Sequence, residues 1–181
     1  RAASPPVSVC ARMDGKTDRV TRPFDSIYSH GVARVAAAVP HLRPAEPAFN
    51  AERTLATAQA LGMAEHLLQR ACDYARERKV FGDRPIGAYQ AIQHPLAEIK
   101  AELEAVKLLF YKSATMFDQG ASPTEIGPIS TMAKYLAGEL AIRAADRALQ
   151  TYGGNGFDRD YGLIQAYTNA RLVRTAPISK E

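Results

Sequence analysis

Over residues 91–118 apolar side chains recur every three or four positions, at Ile92, Leu96, Ile99, Leu103, Val106, Phe110, Ala114 and Phe117. That spacing fits one face of a helix and does not fit a strand, whose faces alternate every two residues. A helix with one apolar face must bury it against another element. The rest of the chain offers mainly further helices. Residues from about 50 to 78 carry a second stripe through Leu55, Gln59 or Gly62, Leu67, Leu68, Ala71, Tyr74 and Ala75, with Asn50 as a candidate N-cap. A third runs to about residue 152 on Ile129, Met132, Leu136, Leu140, Ala144 and Ala148, and its many alanines permit close helix–helix approach. Its start is either the capping box of Ser122 and Glu125, with Pro123 at the first helical position, or Gly127-Pro128. A fourth covers about 160–174 through Leu163, Tyr167, Ala170 and Val173. These patterns predict an all-α domain, an antiparallel four-helix bundle, over residues 49–181.

Residues 1–48 follow no such period. They hold Pro5, Pro6, Pro23, Pro40, Pro44 and Pro47, more than half of the 11 prolines in the chain. Residues 7–11 read as a short strand and 32–39 as a short helix or strand, and the remainder as loop. The expected organisation is therefore an irregular N-terminal arm, 1–48, followed by the bundle.

At 181 residues, with 46% apolar and 23% charged side chains, the chain can build a hydrophobic core without a disulfide or metal staple. The net charge of +4 is spread along helices where Arg and Lys alternate with Glu and Asp, which reads as solvated faces and argues against nucleic-acid binding. The excess still suits a phosphate-rich ligand. Cys10 and Cys72 are too few and too far apart for a disulfide framework, and Cys72 falls in the apolar pattern of a helix. With no apolar run of membrane-spanning length and no secretory leader, the expected setting is a reduced, cytoplasmic one. The four histidines, His30, His41, His66 and His94, have no metal-ligand spacing, so no metal is expected.

Two stretches stand out between the helical patterns. Gln150-Thr-Tyr-Gly-Gly-Asn-Gly-Phe157 has three glycines within four residues, which permit positive φ, a sharp reversal and close backbone approach. On its own it reads as a helix stop. It follows a helix and no strand, so it is not a dinucleotide-binding fingerprint. Arg78-Lys-Val-Phe-Gly-Asp-Arg-Pro-Ile-Gly-Ala-Tyr-Gln90 joins two other helices. By themselves Arg78, Phe81 and Gln90 read as a helix-terminal cation, a buried aromatic plug and an exposed side chain at the next N-terminus. Glu52 reads as a favourable charge near a helix start.

Together the two stretches make residues 49–181 resemble the C-terminal helical domain of the flavin-dependent acyl-CoA dehydrogenases, with a weaker likeness at residues 13–30. The resemblance implies an FAD-dependent α,β-desaturation of an acyl-CoA thioester. Glu52 stands where one branch of the family has the general base that takes the α-proton, and enclosure by flavin and acyl chain is then expected to raise its pKa. A larger branch has its base at the position of Pro177, and proline cannot act as one. Asn50 and Arg53 match substrate-contacting positions, Arg53 toward the CoA portion. Arg78, Phe81 and Gln90 match cofactor positions: a pyrophosphate partner, a ring packed on the cofactor and a hydrogen-bonding side chain. Asp83 adds one residue to the family's spacing before Gln90. Gln150, Gly153 and Gly154 match positions that meet the FAD of a neighbouring subunit. Thr168-Asn169 stands where an Arg-Asp pair is usual, and Arg171 keeps the basic character of the last helix.

The resemblance also implies a homodimer or homotetramer, and an electron-transferring flavoprotein as redox partner. The family's N-terminal helical domain and most of its β-domain are expected to lie outside this chain, and residues 31–48, rich in Ala, Arg and Pro, do not match the family's linker. A competing expectation is a non-catalytic oligomerisation or docking bundle, or a remnant of such an enzyme, with an exposed apolar face.

Overall fold

The computed structural model describes residues 46–176, with side chains from Phe49 onward. The strand and helix expected within the N-terminal arm, Cys10, and the position of Pro177 lie outside the described residues. Among the described residues four helices make the fold: α1 (Glu46–Glu77), α2 (Gln90–Asp118), α3 (Pro123–Tyr152) and α4 (Leu163–Thr175). A small antiparallel hairpin, β1 (Lys79–Val80) and β2 (Arg84–Pro85), links α1 to α2, and two 3-10 turns, Gly153–Phe157 and Arg159–Tyr161, link α3 to α4.

α2 buries the stripe that its sequence announces. Leu96, Ile99, Leu103, Val106, Phe110 and Ala114 are all in the core. Pro95 is tolerated inside the early part of the helix. The start of α3 is the capping box: the Ser122 hydroxyl accepts from the Glu125 amide while the Glu125 carboxylate accepts from the Ser122 amide, with Pro123 next. Gly127-Pro128 lies inside the helix and starts nothing.

α1 and α3 make the most extensive contact in the fold, and they run in the same direction. At their starts the Asn50 amide donates to the Pro123 carbonyl (2.9 Å). Toward their ends the Tyr152 hydroxyl reaches the Arg70 carbonyl (3.4 Å). α2 and α4 run the other way, as the Thr54–Ser113 hydrogen bond (3.0 Å) and the Lys134–Arg174 bond (3.1 Å) require. The α1–α3 pair is lined with small residues. Ala58, Ala64, Ala71 and Ala75 on α1, and Ala137, Ala141, Ala145 and Ala148 on α3, are almost wholly buried. Small side chains let the two axes approach toward the short end of the usual range, about 8–10 Å.

This seam corrects two positions of the stripe expected for the third helix. Met132 and Leu136 are not core residues; they are 47% and 39% exposed, with Tyr135 between them at 47%. The buried face there is Ser130, Ala133, Lys134 and Ala137. A long side chain does not fit where the helices run so close, so the alanine face turns inward and the large apolar residues turn out. Ala141→Leu should therefore lower stability by about 1–3 kcal/mol through overpacking, whereas Met132→Ala should change it by less than about 0.5 kcal/mol. Chemical denaturation of both variants checks the assignment, and a larger loss in Met132→Ala would reverse it.

Candidate functional site

The expected site residues fall into two groups at opposite ends of α1. Asn50, Glu52 and Arg53 stand near its beginning. Asn50 is not an N-cap, because α1 starts at Glu46 and places it in the second turn. Its side chain serves tertiary structure. The buried amide donates to the Pro123 carbonyl, and its oxygen accepts from Arg53 Nη1 (3.0 Å) and from the Ser130 hydroxyl (3.5 Å). Asn50 thus fixes the register of α1 on α3 and holds the Arg53 guanidinium, which is partly exposed. Glu52 projects from the exposed side of the same turn.

Lys134 belongs to this end too. It is 6% exposed, and its Nζ donates to the carbonyl of Arg174 in the last turn of α4 (3.1 Å). Burial, and after it the charge of Arg53, lower its pKa from the ordinary lysine value. Sequence patterning had no signal for Lys134, since a lysine inside an alanine-rich helix reads as a solvated charge.

The second group sits where α1 ends. The chain turns through Phe81-Gly82-Asp83, with Phe81 and Gly82 both at positive φ (51° and 98°). Asp83, the additional residue, closes the hairpin by accepting from Lys79 Nζ (2.6 Å). Phe81 is no buried plug; it is 94% exposed at the tip. Arg78 and Gln90 are exposed on either side, and the Arg78 carbonyl accepts from the Ile86 amide (2.8 Å). Gly87 is needed where the connection crosses α1, since a Cβ there would stand 2.9 Å from the Ala75 carbonyl oxygen.

Gln150, Gly153 and Gly154 lie at this same end, on the turn that closes α3. All three are exposed. Gly153 adopts φ 59°, ψ −135°, a region that side chains avoid, and a Cβ on Gly153 or Gly154 would meet nothing within 4 Å. Their backbone is open on the outside. Between this turn and the end of α1 is a cleft of about 370 Å³ lined by Arg70, Asp73, Tyr74, Glu77, Arg78, Tyr152, Asn155 and Tyr161. Of the residues expected from sequence, Arg78 lines it; Phe81, Gln90, Gln150, Gly153 and Gly154 do not.

The cleft rests on aromatic packing. Tyr74 stacks on Tyr152 (centroids 3.9 Å apart) and Tyr161 meets both edge-on (6.4 and 5.2 Å). Asn155 donates to the Tyr74 hydroxyl (2.9 Å), and Arg70 donates to the Tyr161 carbonyl (2.7 Å). Asn155 and Tyr74 were not among the expected site residues, although Asn155 lies within the glycine stretch itself and Tyr74 in the apolar stripe of α1.

Glu52 and Arg78 are 26 positions apart on a nearly continuous helix, so at 1.5 Å per residue they stand roughly 40 Å apart. No single small-molecule site can include both ends of one chain.

Residues 42–176 match the family described as acyl-CoA dehydrogenase, C-terminal domain. The chain is 42% identical over 164 residues to acyl-CoA dehydrogenase fadE12 of Mycobacterium bovis, covering 91% of this chain and 40% of that protein. The butyryl-CoA dehydrogenase of Megasphaera elsdenii superposes with a TM-score of 0.68 at 30% identity, over 72% of this chain and 33% of that one. A structure of PigA with FAD and proline superposes with a TM-score of 0.67 at 27% identity, over 72% and 33% of the respective chains. The chain thus spans about 40% of the length of its curated mycobacterial relative.

The unusual backbone at Gly153 gives a direct expectation. Gly153→Ala introduces no clash, yet it should cost about 1–3 kcal/mol because alanine disfavours that conformation. Gly154→Ala, beside it and equally open but without a positive φ, should cost no more than about 0.5 kcal/mol. Thermal unfolding of the pair separates backbone strain from loss of contacts.

Proposed function

The chain belongs to the acyl-CoA dehydrogenase family as its C-terminal domain, and from that premise we propose that it serves an FAD-dependent α,β-desaturation of an acyl-CoA thioester. The observation that carries this reading is the separation of the two residue groups. One end of the bundle has a carboxylate and an arginine suited to substrate. The other has Arg78 and the open Gly153-Gly154 backbone suited to a dinucleotide cofactor. Because about 40 Å divides them, the two ends serve different active sites, and two copies of the chain must meet to complete each one.

The residues present fit FAD. Arg78 offers a bidentate donor for a pyrophosphate, the bare amides around Gly153 and Gly154 admit a close approach, and Gln150 and Gln90 offer amide groups on either side. Phe81 offers an uncovered ring. When bound, FAD supplies the acceptor for the hydride that leaves the substrate β-carbon. At the other end Glu52 takes the α-proton, and the electron pair of that C–H bond becomes the new double bond. The exposed carboxylate is free for substrate to cover, which removes it from water and strengthens it as a base. Arg53, held by Asn50 Oδ1, directs its remaining donors at an anionic group of CoA.

The homodimer or homotetramer that this arrangement needs has apolar surface to use. Met132, Tyr135 and Leu136 on α3 and Leu172 on α4 are exposed, and Leu172 is 62% so. The same surface favours a second reading, a bundle that only docks or oligomerises. An electron-transferring flavoprotein is the redox partner that fits the first reading. Among the described residues no helix is long and apolar enough to cross a membrane.

Flavin absorbance and oligomeric mass of the purified chain, with and without added FAD, test the proposal. Retained flavin together with acyl-CoA-driven bleaching is expected. Glu52→Gln should keep the flavin and slow bleaching by about 10²–10⁴-fold. Failure to take up any FAD in an assembled oligomer would leave the docking reading in its place.

A further inference from the structure

The Asn50 amide, on a residue only 3% exposed, stands between two groups with opposite demands. The Pro123 carbonyl on α3 accepts from its Nδ2 (2.9 Å), while the Arg53 guanidinium, one turn along the same face of α1, donates to its Oδ1 (3.0 Å). Turned over, the amide would set oxygen against oxygen and donor against donor, so one orientation is fixed. The backbone beneath is held as well. The Thr54 hydroxyl donates to the Asn50 carbonyl and meets Ser113 of α2 (3.0 Å each), and the Thr57 hydroxyl donates to the Arg53 carbonyl (2.7 Å). The Ser130 hydroxyl lies nearer the Gly127 carbonyl (3.1 Å) than Asn50 Oδ1 (3.5 Å), which leaves that oxygen mainly to Arg53.

The partner that Arg53 receives is neutral. Arg76, Arg143 and Arg174 each pair with a carboxylate. Among the described residues Arg53 makes its one hydrogen bond to an uncharged oxygen and enters no ion pair. Aspartate would fit the same space, but it would cancel the charge of Arg53 and offer Pro123 no donor.

We propose that Asn50 is a positioning residue for Arg53: it aims the guanidinium and leaves its charge uncancelled for an anionic ligand. Asn50 is enclosed, with both ends of its amide engaged inside the bundle, so it acts through Arg53 and does not meet the ligand itself. This differs from the substrate contact expected of it from sequence. A guanidinium held in place before binding loses less freedom when the ligand arrives, which is how a neutral tether strengthens an anion site. The ligand class, a phosphate-bearing acyl carrier such as CoA, rests on the function proposed above; the holding of Arg53 does not.

The test has two arms. In the first, the chain is labelled with phenylglyoxal and the modification of Arg53 is followed by mass spectrometry, with exposed Arg159 as internal standard. Labelling should run fastest in Asn50→Leu, where the guanidinium has lost its acceptor, and slowest in Asn50→Asp, where a carboxylate holds it more tightly than an amide. The unmodified chain should fall between them, and any other order of the three rates overturns the proposal. Leucine matches asparagine in shape and buries no charge, so Asn50→Leu against the unmodified chain decides alone if Asn50→Asp does not fold.

In the second arm, CoA binding is measured by calorimetry at low and high salt for the unmodified chain, both Asn50 variants, Arg53→Ala and the double variant Asn50→Leu, Arg53→Ala. Asn50→Leu should weaken binding on the order of tenfold, as loss of one aimed charge-assisted contact does, while its salt dependence stays, because the charge is still present. Asn50→Asp should weaken binding and also flatten the salt dependence, because the charge is cancelled. Asn50→Leu should add nothing in the Arg53→Ala background. Additive losses would mean that Asn50 meets the ligand itself, which overturns the positioning role. If the unmodified chain binds no CoA, or Arg53→Ala binds it equally well, the substrate role of Arg53 fails, and the labelling arm still decides whether Asn50 holds the guanidinium.

Discussion

The close contact between α1 and α3 governs the rest of the molecule. Two helices that approach over their whole length can do so only if small residues line the contact, and both sequences supply alanine at that face. Each helix then has too little apolar bulk along the seam to make a core alone. The bulk comes from α2, whose Leu96, Ile99, Leu103, Val106 and Phe110 fill one side, from Leu163 and Val173 of α4, and from Leu61, Leu67 and Leu140 of the paired helices themselves. A seam of alanines also lacks knobs to set its register, because small side chains slide past one another more easily than interlocked large ones. Polar contacts supply that register: Asn50 to Pro123 at one end and Tyr152 to Arg70 at the other. A buried hydrogen bond adds little net stability, but leaving its partners unpaired is expensive, so such contacts exclude shifted packings.

A second consequence concerns distance. With 32 residues in α1, the bundle separates the surroundings of Glu52 from those of Arg78 by more than any substrate or cofactor headgroup spans. The candidate site residues are concentrated toward the ends of the helices, and not along their sides. This follows from the physics of helices, whose interior backbone groups are all paired while the terminal ones remain available. The capping box at Ser122, the carbonyl end of α4 and the glycine turn after Tyr152 are three solutions to the same terminal problem. One uses a side chain of the same helix, one borrows a lysine from a neighbouring helix, and one leaves backbone open.

Much of this was legible in the chain. The α2 stripe, the capping box, the helix break at Gly153 and the number of helices follow from period and turn chemistry, which are local. The face of α3 was not. Periodicity ranks Met132 and Leu136 above alanine as core residues, and the ranking fails where the partner helix is too near for them. Asn50 misled in a similar way: its residue type and position suit an N-cap, yet the tertiary contact with Pro123 claims its side chain. At the site, the glycines drew attention by type and spacing, and Arg78 through the family resemblance. Tyr74 and Lys134 did not, because their roles depend on what packing brings against them from 78 and 40 positions away: Tyr152 for the first, Arg174 for the second.

Phe81 combines two features that are unfavourable in an isolated bundle. Its backbone occupies the left-handed region, which costs an ordinary side chain about 1–2 kcal/mol, and its ring is 94% exposed to water. Neither improves packing within the chain. The hairpin sustains both, through the paired strands and the Lys79–Asp83 contact, so the projection of the ring is held and not incidental. Under the proposed function this strained, uncovered aromatic, at the end that also presents Arg78 and an open glycine backbone, is a ring that a flavin would cover. If the ring covers part of a flavin held mainly by another copy, its burial offsets the strain, since an aromatic side chain gains about 1.5–3 kcal/mol on leaving water. In the proposed assembly the cost would be carried by the free chain, because a ring relaxed into the hairpin would have to be pulled out again before it could cover a cofactor.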